Sequence, residues 1–200
     1  MMVILPSTAQ ANLLSNASFE SPGNTWACPT DWGTDGTAAA KGQTDYAIIA
    51  YDGDWVFTVD QWGGGSADAW GYAAQDVTTA LNTGDTATLN MYIATDVDYT
   101  GSAKVKLDFL NDADVVLGTA LSSSYGADTP WTLATASGLV PDGTVKLNAY
   151  ALSENMGIGS KSAYFDAADL TVTPIPEPTS LLLLGSGLIG LLGFAWRKRK

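Results

Sequence analysis

The sequence predicts an all-β protein, an antiparallel β-sandwich followed by one C-terminal membrane-spanning helix. Three observations carry this reading. Apolar and polar residues alternate with a period of two in segment after segment, which places one face of a strand in a core and the other in water. Clusters of Asn, Asp, Gly and Pro separate these segments at short intervals, and no long amphipathic helical pattern precedes Pro174. The chain then closes on an uncharged apolar run that ends in four cations.

The strands are read in order. Segments 46–51, 54–60 and 70–77 are the first strand candidates. In 86–94, Ala87, Leu89, Met91 and Ile93 alternate with Thr88, Asn90 and Tyr92. In 104–110, Val105, Leu107 and Phe109 alternate with Lys104, Lys106 and Asp108. Segments 115–120 and 131–136 follow. In 144–151, Val145, Leu147, Ala149 and Ala151 alternate with Lys146, Asn148 and Tyr150, and 163–173 is the last candidate. Asn82-Thr83-Gly84-Asp85, Asn111-Asp112-Ala113-Asp114 and Pro141-Asp142-Gly143 have turn chemistry. Gly63-Gly64-Gly65-Ser66 is a loop with no following helix, so it is no phosphate-binding loop. Many short strands at this spacing make a sandwich.

From Thr179 to Trp196 there is no charged residue. Eighteen residues of helix reach about 27 Å, the thickness of a bilayer core. Lipid offers the backbone no hydrogen bonds, so the run must be helical, and its glycines are common in membrane helices. Trp196 suits the membrane interface, and Arg197, Lys198, Arg199 and Lys200 form a cytoplasmic stop, which leaves everything before Pro174 outside. A buried core helix is the alternative, but such a helix would not end in four cations at the terminus.

Pro176-Glu177-Pro178, the apolar helix 179–196 and the basic cluster 197–200 together resemble the PEP-CTERM sorting signal. The resemblance covers residues 174–200. It implies an exported protein of a Gram-negative bacterium that makes extracellular polysaccharide. It further implies recognition of the Pro-Glu-Pro motif by an exosortase-type enzyme, a transient inner-membrane anchor, and then release or transfer to the cell surface. At the other end, Ala9-Gln10-Ala11 has the small-x-small form of a signal-peptidase site, so the mature chain is expected to start at Asn12. The apolar stretch before it is short and carries no Lys or Arg, so residues 1–11 read as the end of a truncated signal peptide, with a plain leader as the alternative. The expected organisation is 1–11 signal, 12–173 sandwich, 174–178 sorting motif, 179–196 helix and 197–200 stop.

Composition narrows the function. The net charge is −12, and four of the nine basic residues lie in the tail, so the ectodomain is more acidic still. This argues against nucleic acid and anionic lipid as partners. Cys28 is alone, which rules out an intramolecular disulfide, and it reads as buried or incidental rather than reactive. The absence of histidine excludes His-dependent nucleophilic sites and His-ligated zinc.

The segment Asn12-Leu13-Leu14-Ser15-Asn16-Ala17-Ser18-Phe19-Glu20 resembles the opening strand of galactose-binding-like jelly rolls, a superfamily that includes carbohydrate-binding modules. Phe165-Asp166-Ala167-Ala168-Asp169-Leu170-Thr171-Val172 is similar to their closing strand. The resemblance implies a jelly-roll sandwich and a structural calcium ion held by Glu20 and Asp166 with backbone carbonyls. Phe165 and Leu170 break strict alternation, so a bulge could re-aim Asp166. Asp96-Val97-Asp98-Tyr99-Thr100-Gly101 imitates the start of a calcium loop, but its twelfth position is Leu107, and it reads as an ordinary loop.

Sugar is the candidate ligand. Flat aromatic rings stack on the C–H faces of pyranoses while polar groups fix orientation. Trp26, Trp32, Trp62 and Trp70 lie in Gly- or Asp-rich stretches and are expected at exposed positions, with Asp31, Asp60, Gln61 and Asp68 nearby. Trp55 and Trp131 sit on alternating segments and are expected in the core. A glycosidase would need two placed carboxylates, and no such pair can be read from the spacing. The expected role is a non-catalytic surface or extracellular-matrix protein that binds carbohydrate. The alternatives are a structural or adhesive protein without sugar specificity and a glycosidase.

Overall fold

The computed structural model describes residues 11–21, 28–36, 39–41, 48–60 and 68–175. Ten strands lie among them: β1 (Gly33–Gly36), β2 (Ala39–Lys41), β3 (Phe57–Asp60), β4 (Ala69–Val77), β5 (Thr86–Thr95), β6 (Ser102–Leu110), β7 (Val116–Leu121), β8 (Thr132–Leu139), β9 (Lys146–Met156) and β10 (Ala163–Thr173). They form an all-β antiparallel sandwich of two five-stranded sheets, ordered β1-β4-β9-β6-β7 and β2-β3-β10-β5-β8. Leu89, Met91 and Ile93 of β5 and Phe165 and Leu170 of β10 meet Val105, Leu107 and Phe109 of β6 and Leu147 of β9 in the core. The alternation read in the sequence is the inward-facing set of each strand, except that Val145, expected inward, precedes β9 and is 45% exposed.

Turn residues set the ends of the strands. Gly84 has φ +86° and Gly143 φ +80°, left-handed conformations that glycine adopts without steric cost. The Asp85 N–H donates to the Asn82 carbonyl at 3.0 Å, and the Asp114 N–H to that of Asn111 at 3.1 Å. The Asp96-to-Gly101 segment is the loop between β5 and β6. Its Asp96 carboxylate accepts the Ser162 N–H at 3.1 Å and the Tyr164 hydroxyl, which ties that loop to the start of β10.

Three expectations change. Residues 48–50 are loop and 51–54 a bend, so the described part of the expected strand 46–51 crosses over a sheet rather than joining it. β1 and β2 were not anticipated, because four and three small or polar residues carry no readable period. Segment 12–20 is no opening strand. It runs beside β10, with Leu13 N–H bonded to the Leu170 carbonyl and the Ala17 carbonyl accepting Ala168 N–H. Asn16 at φ +45° and Phe19 at φ +57° then bend it away. No helix among the described residues is long and apolar enough to cross a membrane, and the expected helix 179–196 lies outside the described residues.

Candidate functional site

The tryptophans divide differently from the sequence reading. Trp32, expected exposed, is buried, with 4% of its surface accessible. Its ring packs 4.9 Å from that of Phe19, and its indole N–H donates to the Asn16 carbonyl at 3.2 Å. It is a core residue, because the bend at Asn16 folds segment 12–20 onto it. Trp26, Trp62 and Gln61 lie outside the described residues. Asp60 is buried at 2% and Asp31 is exposed on a positive-φ turn. Trp55 and Trp131, expected in the core, are half-buried. Cys28 is exposed, its thiol directed at the Trp32 carbonyl.

Trp70 sits where a ligand could reach it. β4 alternates buried and outward residues, so Trp70, Tyr72 and Asp76 share the outer face of the first sheet. β4 pairs with β9 so that Tyr72 faces Leu152 and Ala74 faces Tyr150, and β6 continues the row with Lys106 opposite Tyr150. The rings form a connected group. Trp70 and Tyr72 lie near-parallel at 15° with centroids 5.8 Å apart, and Tyr72 meets Tyr150 edge-on at 5.3 Å. The Lys106 ammonium stands 4.0 Å over the Tyr150 ring, a cation–π contact that fixes its plane.

Charged pairs frame the rings. Lys104 bonds Glu154 at 2.6 Å, Lys106 bonds Asp108 at 2.7 Å, and Lys146 bonds Asp114 at 2.6 Å and Asp76 at 3.0 Å. Thr119 donates to the other Asp108 oxygen at 2.6 Å. Burial, and after it the Asp108 charge, holds the Tyr150 phenol above its ordinary pKa, so it stays neutral with a hydroxyl able to donate and accept. At the end of this face Asp68, Trp70, Leu152, Glu154 and Asn155 line a hollow of about 310 Å³. Sequence reasoning found Trp70 and Asp68 but missed Tyr72, Tyr150 and the lysine pairs. Their signal was present in the outward positions of the alternating strands, but register alone puts them side by side.

Glu20 and Asp166 both converge on one loop. Asp166 Oδ2 accepts the N–H groups of Tyr51 at 2.8 Å and Asp52 at 2.9 Å, and Oδ1 accepts that of Ala167 at 2.7 Å. Glu20 accepts the N–H groups of Asp54 and Trp55, the latter at 2.8 Å. Asp166 precedes a β-bulge, where Tyr92 and Asn90 of β5 face Asp166 and Asp169, and Ala167 takes φ +47°. Burial raises the Asp166 pKa to about 6, against the opposing pull of its N–H donors. As a donor set for calcium, both side chains offer hard oxygens, and the hydrogen bonds leave each carboxylate part of its lone-pair capacity. Among the described residues no group of three or more acidic or sulfur ligands is placed to hold a metal, so carbonyls or water would have to complete a shell.

Comparison with known proteins decides the tail. Residues 174–200 match the PEP-CTERM protein-sorting motif. The match covers the end of the chain and leaves the sandwich to be judged by its shape. No curated protein matches the sequence. Solved structures of similar architecture include the CBM22-1 xylan-binding domain of Paenibacillus barcinonensis Xyn10C, at TM-score 0.57 and 14% identity, covering 84% of this chain and 100% of that one. TmCBM61 in complex with β-1,4-galactotriose has TM-score 0.53 and 13% identity, over 80% and 97% of the two chains. A cyclase from Fischerella sp. TAU has TM-score 0.61 and 18% identity, over 84% and 100%. The chain spans only 21% of a bacteriophage CBA120 tailspike domain and 26% of an α-L-arabinofuranosidase. These likenesses establish the jelly-roll sandwich seen in carbohydrate-binding modules, a fold that enzymes share.

Proposed function

We propose that this PEP-CTERM protein is an exported, non-catalytic surface or matrix protein that binds a neutral polysaccharide on the outer face of its first sheet. The observation that carries the reading is the Trp70–Tyr72–Tyr150 ring group framed by lysine–carboxylate pairs. The rings offer apolar platforms for pyranose C–H faces, and the pairs offer adjacent donors and acceptors for vicinal hydroxyls. Each of Lys104, Lys106 and Lys146 is matched by at least one carboxylate, and the chain carries net charge −12, so an anionic glycan would meet repulsion. The xylan-binding and galactotriose-bound likenesses support the ligand class. Asp76, Asp108 and Glu154 on this face are each engaged by a lysine, which favours a binding role over acid–base catalysis.

The sorting motif supports processing by an exosortase-type enzyme at Pro176-Glu177-Pro178, with residues 179–196 as a temporary inner-membrane anchor, Arg197 to Lys200 as its stop and the cell surface as destination. Calcium is part of the same proposal. Glu20 and Asp166 would hold it, and it would stiffen the loop they already clamp. Trp26 and Trp62 remain candidate contacts alongside Trp70.

The test is a glycan array probed with the full chain in mild detergent. Neutral glycans are expected to bind, and Trp70→Ala and Tyr150→Ala to weaken binding about tenfold, roughly 1.4 kcal/mol, in variants that still unfold cooperatively. Binding of uronate-rich glycans alone would overturn the neutral assignment. No binding at all would leave a structural surface protein.

A further inference from the structure

The second sheet carries another aromatic group, apart from the first and built on the loop that Glu20 and Asp166 clamp. Loop 48–56 crosses the outer face of that sheet and is tied down along its length. Asp166 holds the N–H groups of Tyr51 and Asp52, Glu20 holds those of Asp54 and Trp55, and the Trp131 indole donates to the Ile49 carbonyl at 2.9 Å. Its last residue, Val56, joins Ala94 and Tyr164 in a small separate core, with Trp131 packed against them. On this base Tyr51 lies flat on Tyr92, with centroids 3.5 Å apart and planes at 16°. Trp131 stands at its edge, 6.2 Å away at 63°.

Tyr51 nevertheless remains 46% exposed, and its neighbours are exposed too. Ile49 is 86% accessible, and Leu133, opposite Tyr92 in register, is 47% accessible. Single exposed apolar residues need no explanation, but a flat ring held by a clamped backbone within an apolar patch does. Such a ring has little freedom left to lose on binding. Trp131 also forms one wall of an open groove of about 500 Å³, whose polar lining includes Thr95, Asp128 and Thr129. Trp131 thus joins the flat Tyr51 ring to a polar groove, and a pyranose requires both, an apolar face to stack on and oxygens to bond its rim.

We infer that Tyr51 and Trp131 form a second saccharide site, with Tyr51 as the stacking platform and Trp131 as the wall that joins it to the groove lined by Asp128 and Thr129. The two sites lie on the outer faces of opposite sheets, so one domain engages two polysaccharide strands. It thereby acts as a cross-linker of a matrix rather than a passive coat. Binding to a polymer then gains from the second contact without any new interaction at the first.

The experiment uses the full chain in mild detergent and affinity electrophoresis through gels of soluble xylan, β-1,4-galactan or β-glucan. The wild type is expected to be retarded, and Trp70→Ala and Tyr51→Ala each to weaken retardation about tenfold. The double variant should lose it, and only the wild type should raise turbidity when mixed with the polymer. Tyr51→Phe, which keeps the platform, should behave as wild type, while Leu133→Asp, which charges the patch from another strand, should behave as Tyr51→Ala. If Trp70→Ala alone abolishes retardation and Tyr51→Ala does nothing, the second site is overturned and the first stands. If Tyr51→Ala alone abolishes it, the first reading fails and this one survives as the sole site. Concentration-dependent self-association that Tyr51→Ala removes, without any glycan effect, would make the patch a contact between copies and overturn the proposal. No retardation of the wild type in any gel overturns both.

Discussion

Asp166 shows how one side chain can hold a loop and carry a pH dependence. Its pKa rises from 3.8 to about 6 because burial penalises the anion more than three N–H donors favour it. A carboxyl with a higher pKa in the folded state binds its proton more tightly there. Its contribution to stability is therefore greatest at low pH and falls as pH rises from about 4 to 6. Melting temperatures across that window, measured with chelator so that no metal competes, should show a downward component in the wild type. Asp166→Asn should flatten it, and an unchanged profile would remove Asp166 as the source. Trp32 makes the complementary point. Its indole lies in the core against Phe19, so Trp32→Ala should cost about 3–5 kcal/mol in chemical denaturation. Glycan affinity per folded molecule should stay the same, which would separate Trp32 from Trp70.

At the scale of elements, the edge strand β1 and the clamped loop are the informative parts. Gly36 has φ +140° where β1 lies against β4, and a Cβ there would overlap the Trp70 carbonyl and the Gly71 Cα. Gly36→Ala should therefore loosen β1 from β4, at a cost of about 1–3 kcal/mol. Faster amide exchange in β4 would report it, and wild-type protection would show that the edge accommodates the methyl. The loop offers a metal test. If Glu20 and Asp166 hold calcium, adding it should raise the melting temperature by mass action, and Glu20→Gln should abolish the rise. An equal melting temperature with calcium and with chelator would leave a purely hydrogen-bonded clamp.

For the whole molecule, the sorting motif and the aromatic faces occupy separate parts of the chain. The sorting motif occupies residues 174–200, while both aromatic faces lie within the sandwich. Replacing Pro176-Glu177-Pro178 with alanines should leave the protein in the membrane fraction at its unprocessed mass and leave glycan binding intact. Loss of both together would tie the tail to the fold. The acidic charge acts at this scale too. A net charge of −12 disfavours anionic surfaces, so if the protein binds a neutral glycan, the affinity should change little between low and moderate salt.

By itself the sequence determined the all-β class, the inward faces of β5, β6 and β9, the turns at Asn82 and Asn111, and the sorting tail. Each of these is written in local terms, as a period of two, a turn residue or an ordered run of apolar and basic residues. It also placed Asp166 beside a bulge, because broken alternation is itself local. Only the tertiary structure decided which aromatics are exposed. Trp32 and Trp70 sit in similar polar surroundings along the chain, yet the bend at Asn16 covers one, and pairing of β4 with β9 leaves the other on an open face. Tyr72, Tyr150 and Lys106 are neighbours because three strands distant in sequence share a register, and Tyr51 lies on Tyr92 because a loop crosses a sheet. Exposure and adjacency are set by pairing across the chain, and no local pattern encodes a partner many residues away.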